Sequence, residues 1–232
     1  LYYLSTQLKG INTPYALQSK LQIAAMTSLG VAHIHNVDPD DDSKISTKSA
    51  LIAHNDINPR NVIISQWGRP KINDFNIAEF LTWDPKTKTQ QQCGFQSRFH
   101  DPWWRAPEEM IVYDDSSANG TVAVYPKNMI SQKSDVYSLG NTLYVLLTGM
   151  EPRGKEHKQR RLKNVSNIVA SGAKPAFPDD YSNSTEPAIK AIRQAITLCW
   201  EPNPDFRPAA MEIAQGLFAA LNEAKKHSTQ YG

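Results

Sequence analysis

The chain of 232 residues is 40% hydrophobic and 21% charged, an ordinary globular balance with enough apolar material to bury a core. Its formal net charge of +2 leaves no electrostatic footprint for nucleic acid. Two cysteines, Cys93 and Cys199, make neither a disulfide framework nor a zinc site, and the longest apolar stretch, Val136 to Leu147, is far short of the about twenty residues a transmembrane helix takes. The chain opens on Leu1 rather than Met, without a signal peptide, and is read as a segment of a longer protein.

Taken in chain order, Thr13 to His35 is expected to be a helix, because Leu17, Leu21, Ala25, Leu29 and Ala32 recur at helical spacing. The acidic run Asp38 to Asp42 reads as a solvated loop, lacking the glycine and distal glutamate of a calcium loop. Two short β-type runs follow, Val62 to Ser65 and Lys71 to Asn73, with turn-like Gln66 to Pro70 between them. A turn centred on Trp67-Gly68 puts Ile63 opposite Ile72 and sets Asn61 and Asp74 at the open end of this hairpin. Residues Glu79 to Arg105 are polar and irregular, and long for a loop without function. Ser134 is placed to cap a helix from Asp135 to Thr148, ended by Gly149 and apolar nearly all round, hence central. Two amphipathic helices close the chain, one near Pro187 to Trp200 and one starting at Pro208 that turns Met211, Ala214, Leu217, Phe218 and Leu221 inward. The tail from Lys225 onward is expected to fray.

Three stretches carry the chemistry: His54-Asn55-Asp56-Ile57-Asn58-Pro59-Arg60-Asn61, then Asn73-Asp74-Phe75-Asn76, then Ala106-Pro107-Glu108. In order and in Asp56-to-Asn61 spacing they resemble the eukaryotic protein kinase family, whose pattern is a His-Arg-Asp catalytic loop with a downstream Asn, then Asp-Phe-Gly, then Ala-Pro-Glu. Ser134 to Gly140 resembles the start of that family's central helix and Cys199 to Pro208 its penultimate segment, so the resemblance covers nearly the whole chain. It implies an α+β, protein-kinase-like fold: a mainly helical C-terminal lobe with a small hairpin at the active edge, over residues 1–232. The N-terminal lobe is expected to be absent, since no glycine-rich phosphate loop and no strand lysine with a helix glutamate partner can be placed.

The resemblance also implies roles. Asp56 takes the proton of the attacking protein hydroxyl. Asp74 and Asn61 are the hard oxygen ligands of Mg2+, and ATP is the phosphoryl donor. Ile63 lies beneath the adenine. Arg60, four residues after Asp56 as in tyrosine-kinase-like members, replaces the lysine whose position Asn58 occupies, and can hydrogen-bond Asp56 and the phosphate. His54 and Phe75 stack in the column linking the lobes, Glu108 pairs with Arg207, and Asp135 ties the central helix to the catalytic-loop backbone.

Several positions depart from the family pattern. Asn55 stands for the arginine that pairs with a phosphorylated activation loop, so control by phosphorylation at Thr82, Thr87, Thr89 or Ser97 loses its usual receiver. Asn76 replaces the glycine after Asp-Phe, a position where glycine allows φ > 0 and asparagine is the next most tolerant residue, so the loop moves less freely. Asp101 stands where many serine/threonine kinases place a threonine, whereas Trp104 resembles the tyrosine-kinase branch. Trp103-Trp104 reads equally as substrate-facing loop or core packing. The expected function is an ATP-dependent protein kinase acting on a protein substrate in the cytoplasm, or on the cytoplasmic side of a membrane if the parent is a receptor. A missing N-terminal lobe is required in cis. The alternative is a pseudokinase, a binding or scaffold module without turnover.

Overall fold

The computed structural model describes residues 1, 13–36, 52–83, 92–93, 102–114, 122–124, 130–154 and 162–229. The acidic run at 38–42, Thr87, Thr89, Ser97 and Asp101 lie outside the described residues. The described part is mainly helical, with four two-stranded antiparallel pairs. No helix among the described residues is long and apolar enough to cross a membrane.

Helix α1 spans Pro14–His35. Its start is written in the sequence: Thr13 accepts the Ala16 N–H, and Pro14 occupies the first turn, where no amide partner is needed. Leu17, Leu21, Ala24, Ala25, Val31 and Ala32 are buried on one side. Lys20 is also fully buried, and its Nζ donates to the carbonyl of Leu147 at 3.0 Å, satisfying an acceptor at the end of the central helix. Burial pushes the Lys20 pKa down.

That central helix, α2, spans Lys133–Thr148 and is buried from Ser134 to Thr148. It starts two residues before the expected Asp135, and Ser134 lies inside it, its Oγ donating to Ser131 O at 3.0 Å. Gly149 ends it at φ 68°, a left-handed conformation that costs glycine nothing. Buried polar side chains on α2 are matched to partners: Ser138 Oγ and Asn141 Nδ2 donate to Trp104 O at 2.7 and 3.2 Å, and Asn141 Oδ1 accepts Trp200 Nε1 at 2.9 Å.

Shorter helices α3 (Leu162–Ala170) and α4 (Asp179–Ser182) precede α5 (Pro187–Cys199) and α6 (Ala210–Thr229). Helix α6 begins two residues after the expected Pro208, with Glu212 accepting the Ala209 N–H at 2.7 Å. It stays helical through Thr229 rather than fraying from Lys225, and Lys226 pairs with Glu223 one turn back. Leu17, Leu21, Leu143, Leu147, Ile192, Ile196 and Leu217 belong to one buried cluster joining α1, α2, α5 and α6.

The pairs β1 (Ile52–Ala53) with β4 (Glu79–Phe80) and β2 (Val62–Ile64) with β3 (Pro70–Ile72) lie beside this helical core. Pairs β5 (Thr82–Trp83) with β6 (Gln92–Cys93) and β7 (Val112–Asp114) with β8 (Val122–Val124) complete the strands described. In the hairpin Val62, not Ile63, faces Ile72, and Ile63 faces Lys71. The expected register is off by one because Gly68 adopts φ 70° and the Gly68 N–H closes a turn on Ser65 O, giving a five-residue loop centred on Trp67.

Asp135, at the start of α2, reaches across to the segment after β1. Its carboxylate is buried, with Oδ1 accepting the Asn55 N–H at 2.8 Å and Oδ2 accepting the His54 N–H at 2.7 Å. His35 Nε2, at the end of α1, lies 3.0 Å from Oδ2. Burial alone raises this carboxyl's pKa, but the hydrogen bond and charge of His35 and the His54 amide outweigh it and hold it below its ordinary 3.8. A depressed folded-state pKa contributes stability that is present above the unfolded value and is lost as pH falls through the folded one.

Two outcomes follow. Asp135→Asn is expected to cost about 3–5 kcal/mol in denaturant unfolding near pH 7, the cost of breaking a buried pair, with the gap to wild type closing as pH drops below about 4. A gap that stays constant down to pH 2 contradicts the assignment. Gly140→Ala puts a Cβ 2.7 Å from the Cys199 Cβ and 3.0 Å from Trp200 Cδ1, so it is expected to destabilise by about 1–3 kcal/mol through overpacking of α2 on α5. An unchanged melting temperature would show that α5 shifts freely.

Candidate active site at the hairpin mouth

The segment anchored by Asp135 turns sharply. Asn55 sits at φ 63°, a conformation unusual for a side-chain-bearing residue, and Asn is among the few that tolerate it. Its Nδ2 donates to Ile77 O at 3.1 Å, which ties the loop to the chain after β3. His54 is fully buried and uses both ring nitrogens: Nδ1 accepts the Asp56 N–H at 3.2 Å and Nε2 lies 3.1 Å from Asn73 O. The tautomer with its proton on Nε2 serves both bonds. Its ring lies 4.6 Å from that of Phe75, tilted by 59°.

Asp56 points out of this turn with its side chain 38% exposed. Asn58 Nδ2 donates to Asp56 Oδ1 at 3.1 Å, and Asn61 Nδ2 donates to Asp56 Oδ2 at 2.7 Å and to Asp56 O at 2.9 Å. Asn58 also starts the 3-10 turn Pro59–Asn61, its Oδ1 accepting the amides of Arg60 and Asn61. The position expected to carry a lysine thus carries an amide that both caps the turn and orients the carboxylate. Arg60 is exposed on this turn.

Asn61 leads into β2, and its carbonyl accepts the Asn73 N–H at 2.9 Å. Asp74 is therefore the first residue past the hairpin's closing bond, and it stands at φ 67°, exposed. The left-handed conformation falls on Asp74, and Asn76 keeps a negative φ. Ile63 and Phe75 are about half exposed on this edge, at 49% and 48%.

Arg105, which the sequence reading passed over, enters the same site. Its Nη1 donates to the carbonyl of Asn55 and, at 3.1 Å, to Glu109 Oε1, while Nη2 lies 4.0 Å from Asp56 Oδ1. Glu109 Oε2 accepts the Ala106 N–H at 2.8 Å. Burial pushes the Glu109 pKa up to about 7 despite the lowering by Arg105. An arginine in an aromatic-rich segment carries no periodic or spacing signal, and only the fold reveals that it points inward. Its neighbour Glu108 makes the expected pair with Arg207, two-pronged at 2.7 and 3.0 Å. Trp103 packs on the Met110, Val165 and Val169 cluster, so the core-packing alternative holds for it.

Among the described residues no group of three His, Cys, Asp or Glu side chains forms a metal cage. The donor types at the hairpin mouth, one carboxylate and one amide oxygen, fit magnesium, which keeps waters and takes its remaining ligands from phosphates.

The protein kinase domain model matches residues 9–219. A serine/threonine-protein kinase/receptor of Acanthamoeba polyphaga mimivirus is 26% identical over 206 residues, 89% of this chain and 10% of that protein. The serine/threonine-protein kinase TOUSLED of Arabidopsis thaliana is 27% identical over 180 residues, 77% of this chain and 23% of its own length. The dual specificity protein kinase shkC of Dictyostelium discoideum is 23% identical over 221 residues, 95% of this chain and 36% of its own length. The chain thus spans a tenth to about a third of these relatives. With a buried aspartate anchoring the catalytic-type loop, a carboxylate and amide joined at the hairpin mouth, and the family model running through nearly all of it, the chain belongs to the protein kinase domain family.

Proposed function

We propose that this chain is the C-terminal lobe of an ATP-dependent protein kinase that transfers the γ-phosphoryl group to a protein hydroxyl. The observation that carries the reading is the 2.7 Å bond from Asn61 to the outward-facing carboxylate of Asp56, beside the turn that presents Asp74. In this reading Asp56 orients the acceptor hydroxyl and takes its proton. Its two amide donors hold the carboxylate in one rotamer without neutralising it, which suits a base. Asp74 and the amide oxygen of Asn61 hold Mg2+, and Ile63 offers an apolar seat to adenine. A magnesium ion held there would offset the negative charge of the transferring group. Arg60, exposed on the adjacent turn, is assigned to the phosphate.

The sequence contains no glycine-rich phosphate loop, and no strand lysine is paired with a helix glutamate among the described residues. In this reading the activity requires a β-rich lobe in cis that supplies them. The names of the relatives span serine/threonine and dual specificity, so the acceptor is assigned as a hydroxyl side chain and no further. ATP supply places the reaction in the cytoplasm or on the cytoplasmic side of a membrane. The pseudokinase reading draws on three departures: Asn76 stands for the glycine after Asp-Phe, and Asn55 and Asn58 stand where a transferase of this family carries cations. Both make structural bonds here, so their presence is compatible with turnover.

The deciding measurement is phosphate transfer from labelled ATP by the full-length protein with magnesium, beside Asp56→Asn and Asp74→Asn. Transfer is expected in wild type and to fall by about 10²–10⁴-fold in Asp56→Asn at unchanged ATP affinity. In Asp74→Asn the loss is expected together with weakened magnesium-dependent nucleotide binding. No transfer from folded wild-type protein moves the assignment to the pseudokinase.

A further inference from the structure

We infer that Arg105 is a positioning residue for Asp56, clamping the catalytic-loop backbone to the Ala106-Pro107-Glu108 segment and standing as the fixed cation at the reacting carboxylate. The inference rests on the phosphoryl-transfer reading and names an element of control within that same site.

The loop needs such a clamp. Asn55 holds a left-handed conformation at φ 63°, which persists only where its surroundings over-determine it. Asp135 Oδ1 fixes its N–H and Ile77 O fixes its side chain. That leaves the carbonyl, the group on the peptide leading into Asp56, and Arg105 Nη1 takes it. A guanidinium is suited to this place because one rigid fork serves several acceptors at once. Arg105 binds the Asn55 carbonyl, binds Glu109, and keeps Nη2 within 4.0 Å of Asp56 Oδ1, too long for a hydrogen bond but close for two opposite charges.

Glu109 keeps the fork aimed. It is buried, one oxygen is on Arg105, and the other is on the Ala106 amide in the same segment. The remaining charged and titratable groups around the cluster are His54 and Arg60 on the loop, Glu108 beside Glu109, and Asp135 on α2; Glu108 and Asp135 are each committed to partners described above. The two family positions that would bring a cation toward this loop, 55 and 58, are both asparagine. With Arg60 assigned to the phosphate, Arg105 brings a cation to Asp56 from the other side of the site, and it does so without any phosphorylated residue. The loop's geometry is thereby supplied by the segment that follows it in the chain.

The test uses the full-length protein with Arg105→Lys and Arg105→Gln. Lysine keeps the charge and the pairing with Glu109 but cannot span three acceptors with a fixed fork. The expected result for Arg105→Lys is a melting temperature close to wild type, an ATP KM within about twofold, and kcat per folded molecule reduced about tenfold. Arg105→Gln is expected to lose about 100-fold in kcat, again without a matching change in ATP KM, so that lysine rescues glutamine in part. A side chain that merely held the fold would lower melting temperature and active fraction together and leave kcat per folded molecule unchanged. Folded Arg105→Lys and Arg105→Gln proteins with wild-type kcat overturn the inference while leaving the phosphoryl-transfer reading in place. Wild-type protein that transfers no phosphate overturns both.

Discussion

The buried carboxylate of Asp135 is the constraint from which the rest of the site follows. A carboxylate excluded from water is tolerated only where donors surround it, and the donors here are two consecutive loop amides and one histidine from a different helix. Each of the three has its own consequence. The two amides fix the peptide planes of residues 54 and 55, which sets the direction in which Asp56 emerges. His35 locks the end of α1 to the start of α2, so the loop is anchored to the point where two core helices meet. Helix α2 can bear that load because every residue from Ser134 to Thr148 is buried and its polar side chains are matched. The rigidity needed to hold a base in one position thus originates in the hydrophobic core and is transmitted through a single charged group.

Above that anchor the loop is organised by amides. Asn55 fills the left-handed turn, Asn58 caps the 3-10 turn, and Asn61 orients Asp56. Asparagine suits all three tasks because it tolerates positive φ, accepts backbone N–H bonds like a cap residue, and donates to a carboxylate. None of these bonds adds charge. A charge also reaches Asp56 from outside the loop, from a guanidinium 4.0 Å away whose own position depends on a buried glutamate.

Much of this was legible in the sequence, and the reasons are specific. Helix α1 announced itself through its apolar spacing, and α2 through an apolar run ended by Gly149. The Asp135, His54–Phe75 and Glu108–Arg207 contacts were reachable only through the resemblance to the protein kinase family, which implies each of them. What stayed hidden depended on backbone torsions and on long-range pointing. The hairpin register slipped by one because a left-handed Gly68 lengthens the loop, which a run of residues between two strands does not specify. The left-handed position after β3 is Asp74, which stayed hidden because the sequence marks which residues tolerate φ > 0 and not where the chain bends. Arg105 was missed because an arginine's target lies up to several ångströms from its backbone and, here, fifty residues away in sequence.

Glu108 and Glu109 are neighbours on one short turn, yet they face opposite parts of the molecule. Glu108 binds Arg207, whose guanidinium also donates to Glu201 O and Lys133 O and lies over the Tyr137 ring. Glu109 binds Arg105, which reaches the catalytic-type loop. Buried ion pairs of this kind contribute little net stability against an apolar replacement, but breaking one partner is costly because the other charge is left stranded. Their value is therefore in register: shifting this turn by one residue would strand two carboxylates and two guanidinium groups at once. The turn can be seated in only one way, and that seating joins the corner between α5 and α6 to the backbone that presents Asp56. A disturbance at either arginine is then felt at the hairpin mouth through buried, hydrogen-bonded groups.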